Sequence, residues 1–268
     1  MKLLSLLEHL EYKCLQGNTD QEVSSVVYDS RKVEEGSLFI CIRGAVVDGH
    51  KFVPDVVAKG AKTLIVEEPV EAPADVTVIQ VEDTRYAMAF ISAAWFGHPE
   101  RKMQFIGVTG TNGKTTITNL IKQILTANGY LVGLVGTIQN EIGDQVLHTD
   151  NTTPFVYDLM QLLSQMAQAG CDYVVMEVSS FGLVQHRIGP IHFHAAVFTN
   201  LTQDHLDYHK TMENYYQAKK MLFERCDFAI INTDDAYGER LMQEVTCDRY
   251  AYGSKHTADY YADAIKLK

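Results

Sequence analysis

The residues with the clearest chemical potential lie in a glycine-rich segment, residues 107–116, that contains Gly110, Gly113, Lys114 and Thr115. This segment follows an apolar stretch and precedes a helical pattern, which is the context of a phosphate-binding loop. The glycines let backbone N–H groups turn toward phosphate oxygens, the lysine supplies a cation, and the threonine hydroxyl is a ligand for Mg²⁺. The pattern therefore predicts triphosphate binding, although the spacing between the glycines is shorter than in the common form. The alternative is a glycine-rich turn with an exposed lysine.

A carboxylate and a histidine-containing run follow two further apolar stretches. Glu177 ends the stretch 173–177, and a carboxylate at the carboxyl edge of a parallel strand faces the ligand crevice. This position predicts a second Mg²⁺ contact, with a helix-capping or surface glutamate as the alternative. His205 follows the next apolar stretch and is suited to ligate a metal or orient an acid, with Asp204 and Asp207 to fix its ring. The remaining histidines match no zinc spacing.

Two further groups have a structural interpretation and a functional one. Asn151, Thr152 and Thr153 precede Pro154, and this order predicts caps for the following helix. The same helix terminus is also suited to hold an anionic substrate group. Lys219 is one of two adjacent lysines in a helical pattern, so its residue type predicts a solvated helix face.

The elements that must position these residues differ between the two parts of the chain. From residue 103, apolar strands (105–109, 131–135, 173–177, 195–199 and 228–231) alternate with helices (115–128 and 154–169), in which Met160, Leu163 and Met166 face the core. This alternation predicts an α/β fold with a mostly parallel sheet and helices on both faces. The first hundred residues predict a small mixed α/β domain with strands at 25–28, 37–42, 63–66 and 77–81 and helices at 52–59 and 83–96. The breaker cluster 97–100 predicts two domains, 1–98 and 99–268.

Composition excludes several function classes. Lys and Arg total 23 and Asp and Glu total 34, so the formal net charge of −11 argues against a general nucleic-acid binder. No apolar run approaches the length of a membrane-spanning helix, which argues against a membrane partner. The five cysteines are scattered and predict free thiols in a reducing cytoplasm rather than a metal site.

Together these segments resemble the Mur ligases, and most closely their MurE type. The resemblance is carried, beside the glycine-rich loop, by residues 28–31, 36–39, 48–52, 151–154, 176–180, 185–187 and 200–209. The form of the loop is shared with the wider group of Mur and folylpolyglutamate ligases. The Asp-Ser-Arg segment at 29–31 and the Asn-Thr-Thr-Pro segment at 151–154 are typical of the MurE type.

The resemblance implies an ATP-dependent amide ligase of peptidoglycan precursor synthesis. Such a ligase joins an amino acid, here meso-diaminopimelate in preference to L-lysine, to the D-glutamate of UDP-N-acetylmuramoyl-L-alanyl-D-glutamate. ATP first phosphorylates the substrate carboxylate, the incoming amine attacks the acyl phosphate, and phosphate leaves. The expected cofactors are ATP and Mg²⁺, and the expected state is a cytoplasmic monomer.

The resemblance also assigns residue roles by motif position. Ser30 would contact the uridine nucleotide, and the ATP phosphates would bind the loop formed by Gly110, Thr111, Asn112, Gly113, Lys114 and Thr115. The muramoyl-peptide would bind Asn151, Thr152, Thr153, Ser179, Gln185 and Arg187, whose guanidinium can clamp a carboxylate. The Mg²⁺ sites would use Thr115, Glu177, His205 and Lys219, the last resembling a lysine that becomes carbamylated in this family. Lys114, Lys219, His205 and Glu177 would be the catalytic residues.

One departure from the family pattern affects the expected activity. Mur ligases normally carry a third, C-terminal domain that supplies the amino-acid site, whereas residues 260–268 end the sequence in a strand-like pattern inside the central domain. We therefore expect a truncated chain that binds nucleotide and UDP-sugar, with ligase activity impaired or missing. A natural edge strand is the alternative for these residues. The alternative functions are a non-catalytic nucleotide and UDP-sugar binding fragment and a folylpolyglutamate synthetase-like ligase.

Overall fold

The computed structural model describes residues 1–44 and 47–262, which form two compact units that meet in sequence between His98 and Pro99. Within the described residues, every helix is too short or too polar to cross a membrane. Each unit contains a β-sheet of its own. Single-turn 3₁₀ segments occur in both units, at Ser30–Lys32, Gly49–Phe52, Pro99–Arg101 and Met221–Arg225.

The first unit contains one small sheet. Its strands are β1 (Lys13–Gln16), β2 (Ser25–Val27), β3 (Ser37–Ile40), β4 (Thr63–Val66) and β5 (Thr77–Gln80), and its helices are α1 (Leu3–Leu7), α2 (Val53–Ala58) and α3 (Thr84–Trp95). Among the described residues the strand order is β1-β5-β4-β3-β2, parallel except for β1. Asp83 caps α3 by accepting hydrogen bonds from the N–H groups of Arg85 and Tyr86, at the start of the predicted helix 83–96.

The second unit contains a larger sheet. Its strands are β6 (Gln104–Thr109), β7 (Val132–Val135), β8 (Asn140–Ile142), β9 (Gln145–Leu147), β10 (Tyr173–Glu177), β11 (Phe193–Phe198), β12 (Cys226–Asn232), β13 (Asp248–Gly253) and β14 (Tyr260–Tyr261). Its helices are α4 (Lys114–Ala127), α5 (Val156–Ala169), α6 (Ser180–Val184), α7 (Leu206–His209), α8 (Met212–Lys220) and α9 (Ala236–Glu244). In the part of the chain that is described, the strand order is β14-β13-β12-β11-β6-β10-β7-β8-β9. The β7–β8 and β8–β9 pairs are antiparallel and the others are parallel.

Helices cover both faces of this sheet at strand β7. Val132 and Leu134 pack with Ile121 and Leu125 of α4. Successive residues of a strand point to opposite faces, so Gly133 faces the other side. A Cβ at Gly133 would lie 2.5 Å from the sulfur of Met166 in α5, which shows that α5 packs closely on that second face. The predicted α/β fold with covered sheet faces is therefore confirmed.

The elements missed by sequence reasoning include strand β1, the β8–β9 hairpin, helix α9 and strand β13. Strand β1 and the β8–β9 hairpin lack the continuous apolar runs that identified the central strands. Met160, Leu163 and Met166 are fully buried, which confirms their assignment to the core. Of the predicted strand at 260–268, β14 covers Tyr260 and Tyr261, and residues 263–268 lie outside the described residues.

Candidate functional site

The glycine-rich loop lies at the carboxyl edge of the sheet, between two other strand ends. It follows β6, whose neighbours are β10 on one side and β11 on the other. Strand β10 ends at Glu177, and β11 is followed directly by Thr199 and Asn200. The parallel topology therefore brings a carboxylate and two polar side chains to the two sides of the loop.

The loop has backbone angles that favour glycine at two positions. Gly110 has a φ of +147° and Gly113 a φ of +86°. A Cβ at Gly110 would overlap the Thr199 hydroxyl and lie 3.0 Å from the Asn200 carbonyl oxygen, whereas nothing lies within 4 Å of the same position at Gly113. Gly110 is thus required by close packing, and Gly113 leaves the surface of the loop open at the start of α4.

Asn200 holds the loop in place through its amide side chain. Its Oδ1 accepts a hydrogen bond from the N–H of Asn112 at 3.0 Å, and its Nδ2 donates to the carbonyl oxygen of the same residue at 3.1 Å. The Thr199 hydroxyl donates to that carbonyl as well, at 2.6 Å. The Thr111 N–H donates to the Asn200 carbonyl at 2.9 Å. These contacts fix the loop backbone, while the first N–H groups of α4 have no partner within the helix and can bind an anion.

Lys114, the first residue of α4, folds back over the loop. Its Nζ donates to the carbonyl oxygens of Gly110 at 2.9 Å and Thr111 at 2.8 Å. Burial lowers the pKa of Lys114, and the nearby carboxylates of Glu177 and Asp204 oppose that shift. An anionic ligand would stabilise the ammonium of Lys114 in this environment, because a phosphate would replace neutral carbonyl partners with charged ones.

Lys219 reaches the same carbonyl from helix α8. Its side chain is 2 % exposed, its Nζ donates to the Gly110 carbonyl at 2.9 Å, and it lies 4.5 Å from the centre of the Tyr215 ring. Burial lowers its pKa well below the ordinary value, and the positive charge of Lys114 adds to this shift. The prediction of a solvated helix face for Lys219 is wrong, because α8 packs this residue onto the loop.

Glu177 is buried, with 1 % of its surface exposed, and its carboxylate is held from two sides. Oε1 accepts a hydrogen bond from the Thr115 hydroxyl at 2.9 Å and one from the Thr137 N–H at 3.0 Å. Oε2 accepts one from the Thr137 hydroxyl at 2.9 Å. The alternative of a surface or helix-capping glutamate is wrong, since Ser179 supplies the cap of α6.

The donor set formed by Thr115 and Glu177 fits a magnesium ion. Mg²⁺ prefers hard oxygen ligands and is bound in nucleotide sites by one or two protein oxygens together with phosphates. The hydroxyl and the carboxylate already lie within 2.9 Å of each other beside the loop. The two residues can therefore serve one ion at the point where the phosphates of a nucleotide would end.

The segment 151–153 lies against Glu177 instead of capping helix α5. The Thr153 hydroxyl donates to the Glu177 carbonyl at 3.0 Å and accepts from the Ser179 N–H at 3.0 Å, and Thr152 lies 3.0 Å from the Thr137 hydroxyl. The predicted caps are wrong: α5 begins at Val156, and its N-cap, Phe155, makes no side-chain cap bond. The hydroxyls of Thr152 and Thr153 instead form hydrogen bonds with residues that follow strands β7 and β10 or end β10. Asn151 lies at the start of this segment, and its carbonyl accepts from Thr149.

Arg187 lies next to the same segment. Its guanidinium donates to the Thr153 carbonyl at 3.1 Å and to the Gln185 side chain at 2.8 Å, and it lies 4.2 Å from the centre of the Phe155 ring. Ser179 and Arg187 thereby contact Thr153 directly, and Gln185 contacts Arg187. Their role in substrate binding stays a prediction.

His205 lies on the opposite side of the loop and is more exposed. It has a left-handed backbone with a φ of +52°, and its Nε2 lies 3.5 Å from Asp204. Its ring contacts those of Phe181 at 5.2 Å and Tyr215 at 6.1 Å between centroids. The Tyr215 ring also contacts Lys219. Three of the predicted catalytic residues, Lys114, Lys219 and His205, therefore lie on or near the loop.

His209 also lies on this side of the site, although no role was predicted for it from the sequence. Its Nε2 lies 2.9 Å from the Ser180 hydroxyl, and its ring stacks on Tyr215 at 4.9 Å. Burial lowers the pKa of His209, and the positive charge of Lys219 adds to that effect.

Ser30 belongs to the first unit, where it begins a 3₁₀ turn. Asp29 caps this turn by accepting from the Arg31 N–H, and its carboxylate is paired with the Arg31 guanidinium at 2.8 Å. This pairing lowers the pKa of Asp29 to about 2. The Ser30 carbonyl accepts a hydrogen bond from Lys59 at 2.8 Å. The Asp-Ser-Arg segment is thus a rigid turn whose serine is held at its start.

Sequence reasoning missed Thr137 and the two hydrogen bonds between the Asn200 side chain and the backbone of Asn112. Thr137 follows strand β7, which pairs with β10, so a polar residue just past its end was a usable signal. Asn200 was part of a recognised motif, but its contact with the loop joins residues 88 positions apart. Only the strand order reveals that neighbourhood.

A phosphate-binding loop on a central parallel strand, facing a buried carboxylate and two lysines, defines a nucleotide-binding α/β protein of the P-loop class. Within that class the chain belongs to the Mur ligase family. The family model for the Mur ligase middle domain matches residues 108–268, and that for the Mur ligase family, catalytic domain, matches residues 22–96.

Curated relatives share substantial identity with the chain. The UDP-N-acetylmuramoyl-L-alanyl-D-glutamate–2,6-diaminopimelate ligase of Clostridium perfringens is 49 % identical over 245 residues, covering 91 % of this chain and 51 % of the relative. The ligase of the same name from Clostridium tetani is 43 % identical over 270 residues, covering 100 % of this chain and 56 % of the relative. The chain thus spans about half the length of these relatives.

Solved structures agree with the fold. A structure of a ligase of that name superposes with a TM-score of 0.83 at 29 % identity, covering 97 % of this chain and 54 % of the other. MurF from Acinetobacter baumannii superposes with a TM-score of 0.64 at 21 % identity, covering 99 % and 56 %.

Proposed function

We propose that this chain provides the UDP-sugar and ATP-binding part of an ATP-dependent ligase that adds meso-diaminopimelate to UDP-N-acetylmuramoyl-L-alanyl-D-glutamate. The observation that carries the proposal is the group formed by the loop at Gly110–Thr115, the two lysines and Glu177 at one sheet edge. The names of relatives up to 49 % identical support the substrate and the amino acid.

In this proposal residues of the second unit bind ATP and the acceptor acid. The first N–H groups of α4, Lys114 and the loop amides bind the triphosphate, and Arg187 and the segment 151–153 bind the muramoyl-peptide. When bound at Thr115 and Glu177, Mg²⁺ supplies charge neutralisation at the phosphates. Ser30 in the first unit contacts the uridine nucleotide.

The proposed reaction places two anions together. A carboxylate oxygen of the substrate attacks the γ-phosphorus, the bond to the β-phosphate oxygen breaks, and ADP leaves. The amine of the amino acid then attacks the carbonyl carbon of the acyl phosphate, loses a proton and expels phosphate. The cations of Lys114 and Arg187 lower the repulsion between carboxylate and phosphate in the first step. His205 and Lys219 would take part in holding metal beside the phosphates, the latter after carbamylation.

The required reactants are ATP and a nucleotide sugar, so we place the reaction in the cytoplasm. We further propose that the chain acts as a monomer and has no nucleic-acid or membrane partner.

Phosphate release from the 268-residue chain tests this function. The assay contains ATP, Mg²⁺ and UDP-N-acetylmuramoyl-L-alanyl-D-glutamate, with or without meso-diaminopimelate, and with L-lysine as the matched amino acid. Release that depends on meso-diaminopimelate supports the ligase. Equal release with and without the amino acid contradicts it.

A second candidate function is binding of both ligands without catalysis. In that case the chain binds ATP and the UDP-muramoyl-dipeptide without turnover. Calorimetric binding of both ligands, combined with no phosphate release, would favour this candidate. A folylpolyglutamate synthetase-like function is disfavoured because the Mur ligase family model also matches residues 22–96 of the first unit.

A further inference from the structure

Thr137 connects two groups to which different roles are proposed. It lies just after strand β7 and contacts Glu177 on one side and Thr152 on the other. Glu177 is the proposed metal-binding carboxylate, and Thr152 belongs to the proposed muramoyl-peptide segment. Neither the family resemblance nor the motif positions assign a role to Thr137.

The contacts of Thr137 fix both oxygens of the Glu177 carboxylate. Its N–H donates to Oε1 at 3.0 Å and its hydroxyl donates to Oε2 at 2.9 Å. Rotation of the carboxylate therefore breaks both bonds at once. The preceding residue makes this approach possible, because a Cβ at Gly136 would lie 2.9 Å from Oε1 of Glu177.

The number of protons limits the hydrogen bonds that Thr137 can make. An ionised carboxylate only accepts, and a hydroxyl has one proton to donate. The Thr137 hydroxyl faces two acceptors, Oε2 of Glu177 at 2.9 Å and the hydroxyl oxygen of Thr152 at 3.0 Å. Glu177 and Thr152 thus compete for the single proton of Thr137.

Thr137 is exposed, so its side chain is not needed to fill the core. Its hydrogen bonds nevertheless point inward, to a carboxylate that is 1 % exposed. An exposed side chain that orders a buried one at the edge of a crevice is suited to sense a ligand there. A ligand that displaces Thr152 changes the hydrogen-bond partners of Thr137. This change alters the orientation of the Glu177 carboxylate that Thr137 holds.

We propose that Thr137 is a positioning residue that couples binding of the acidic muramoyl-peptide at Thr152 to binding of the metal–nucleotide at Glu177. This inference rests on the proposed function. Coupling between two sites is reciprocal, so each ligand should strengthen the binding of the other by the same factor. The Thr137 hydroxyl carries this coupling, and its methyl group does not.

The experiment measures binding of a non-hydrolysable ATP analogue to the full chain by calorimetry. Titrations are made with Mn²⁺ or with EDTA, and with or without UDP-N-acetylmuramoyl-L-alanyl-D-glutamate. The variants are Thr137→Val, which replaces the hydroxyl with a methyl group, and Thr137→Ser, which keeps the hydroxyl. A third variant, Thr152→Val, removes the hydroxyl of Thr152 that Thr137 contacts. Thermal unfolding of each variant is recorded as a check of folding.

We expect Thr137→Val to weaken metal-dependent binding of the analogue about tenfold, the scale of a hydrogen bond to a charged group. Binding in EDTA should stay unchanged, and the enhancement by the UDP-muramoyl-dipeptide should fall to about one. Thr137→Ser should restore both quantities. Thr152→Val should reduce the enhancement even at a UDP-muramoyl-dipeptide concentration that saturates this variant.

Two results would overturn the inference in distinguishable ways. If the unaltered chain binds the analogue with metal and Thr137→Val shows the same metal dependence and enhancement, Thr137 has no positioning role. If Thr137→Val is unfolded, Thr152→Val decides, and an unchanged enhancement contradicts the proposal. If the unaltered chain binds no metal–nucleotide, the proposed function itself fails and the inference fails with it.

Discussion

Lys114 and Lys219 donate to the same carbonyl oxygen, that of Gly110, each at 2.9 Å. One lysine comes from the loop itself and the other from helix α8, 105 positions later in the sequence. Burial lowers the pKa of both groups, and Lys114 contributes to the shift at Lys219. Two neighbouring cations on one neutral acceptor leave the site short of negative charge, which favours binding of a triphosphate.

Replacement of Lys114 should abolish useful ATP affinity. Lys114→Ala removes the cation that lies on the loop, and we expect ATP binding to weaken by about a hundredfold or more. Lys220→Ala is the matched control, because that lysine pairs with Glu244 at 2.8 Å away from the loop. Calorimetric titration with ATP measures both variants. Equal affinity of Lys114→Ala and the unaltered chain would mean that the loop does not bind the phosphates.

Two glycine substitutions in the same loop should lower the free energy of unfolding by different amounts. Gly110→Ala places a methyl group against the Thr199 hydroxyl and the Asn200 backbone, so we expect a loss of more than about 2 kcal/mol in the free energy of unfolding. Gly113→Ala meets no neighbour within 4 Å, and its φ of +86° alone should cost about 1 kcal/mol. Urea denaturation measures both values. Equal losses would show that close packing at Gly110 is not the reason for that glycine.

Stability should depend on pH through Lys219. Because its pKa in the folded protein lies below the ordinary value of 10.5, the unfolded chain binds more protons between those two values. The contribution of this residue to stability therefore rises as the pH increases through that window and is complete above 10.5. Lys219→Met removes the titrating group, so the difference in Tm between the unaltered chain and this variant should grow from neutral pH toward pH 10.5. A constant difference would contradict the buried position of the amine.

Arg187 should affect binding of the muramoyl-peptide and not of ATP. We expect Arg187→Ala to weaken binding of UDP-N-acetylmuramoyl-L-alanyl-D-glutamate by about tenfold or more, since a charge-assisted contact is lost. Arg187→Lys keeps the charge without the planar fork and should recover only part of the affinity.

Arg240→Ala is the matched control for loss of an arginine. Arg240 also lies 4.2 Å from the centre of an aromatic ring, that of Tyr216, and pairs with Glu213 and Glu244. This variant should bind the muramoyl-peptide normally. If Arg187→Ala loses affinity for ATP and the muramoyl-peptide equally, the change reflects folding instead of a direct contact.

The parts of the site that follow from strand ends could be predicted from the sequence. Glu177 ends an apolar strand and the loop follows another, and parallel strands place their carboxyl ends at one edge. Local patterns therefore sufficed to bring the carboxylate and the loop together.

Contacts that depend on packing between distant segments could not be predicted. The burial of Lys219 depends on α8 lying against the loop, a contact between residues 109 positions apart. The start of α5 was misplaced because Thr153 bonds to Glu177 and Ser179 instead of to the helix. In both cases a tertiary partner outweighed a local preference.

A crystal structure of the chain with Mn²⁺ and a non-hydrolysable ATP analogue would show whether the glycine-rich loop binds the nucleotide phosphates. We expect phosphate density against the backbone N–H groups of residues 110–115 and the Nζ of Lys114, with anomalous manganese signal beside Thr115 and Glu177. Nucleotide bound elsewhere, with the loop empty and Lys114 still on the Gly110 carbonyl, would contradict this expectation.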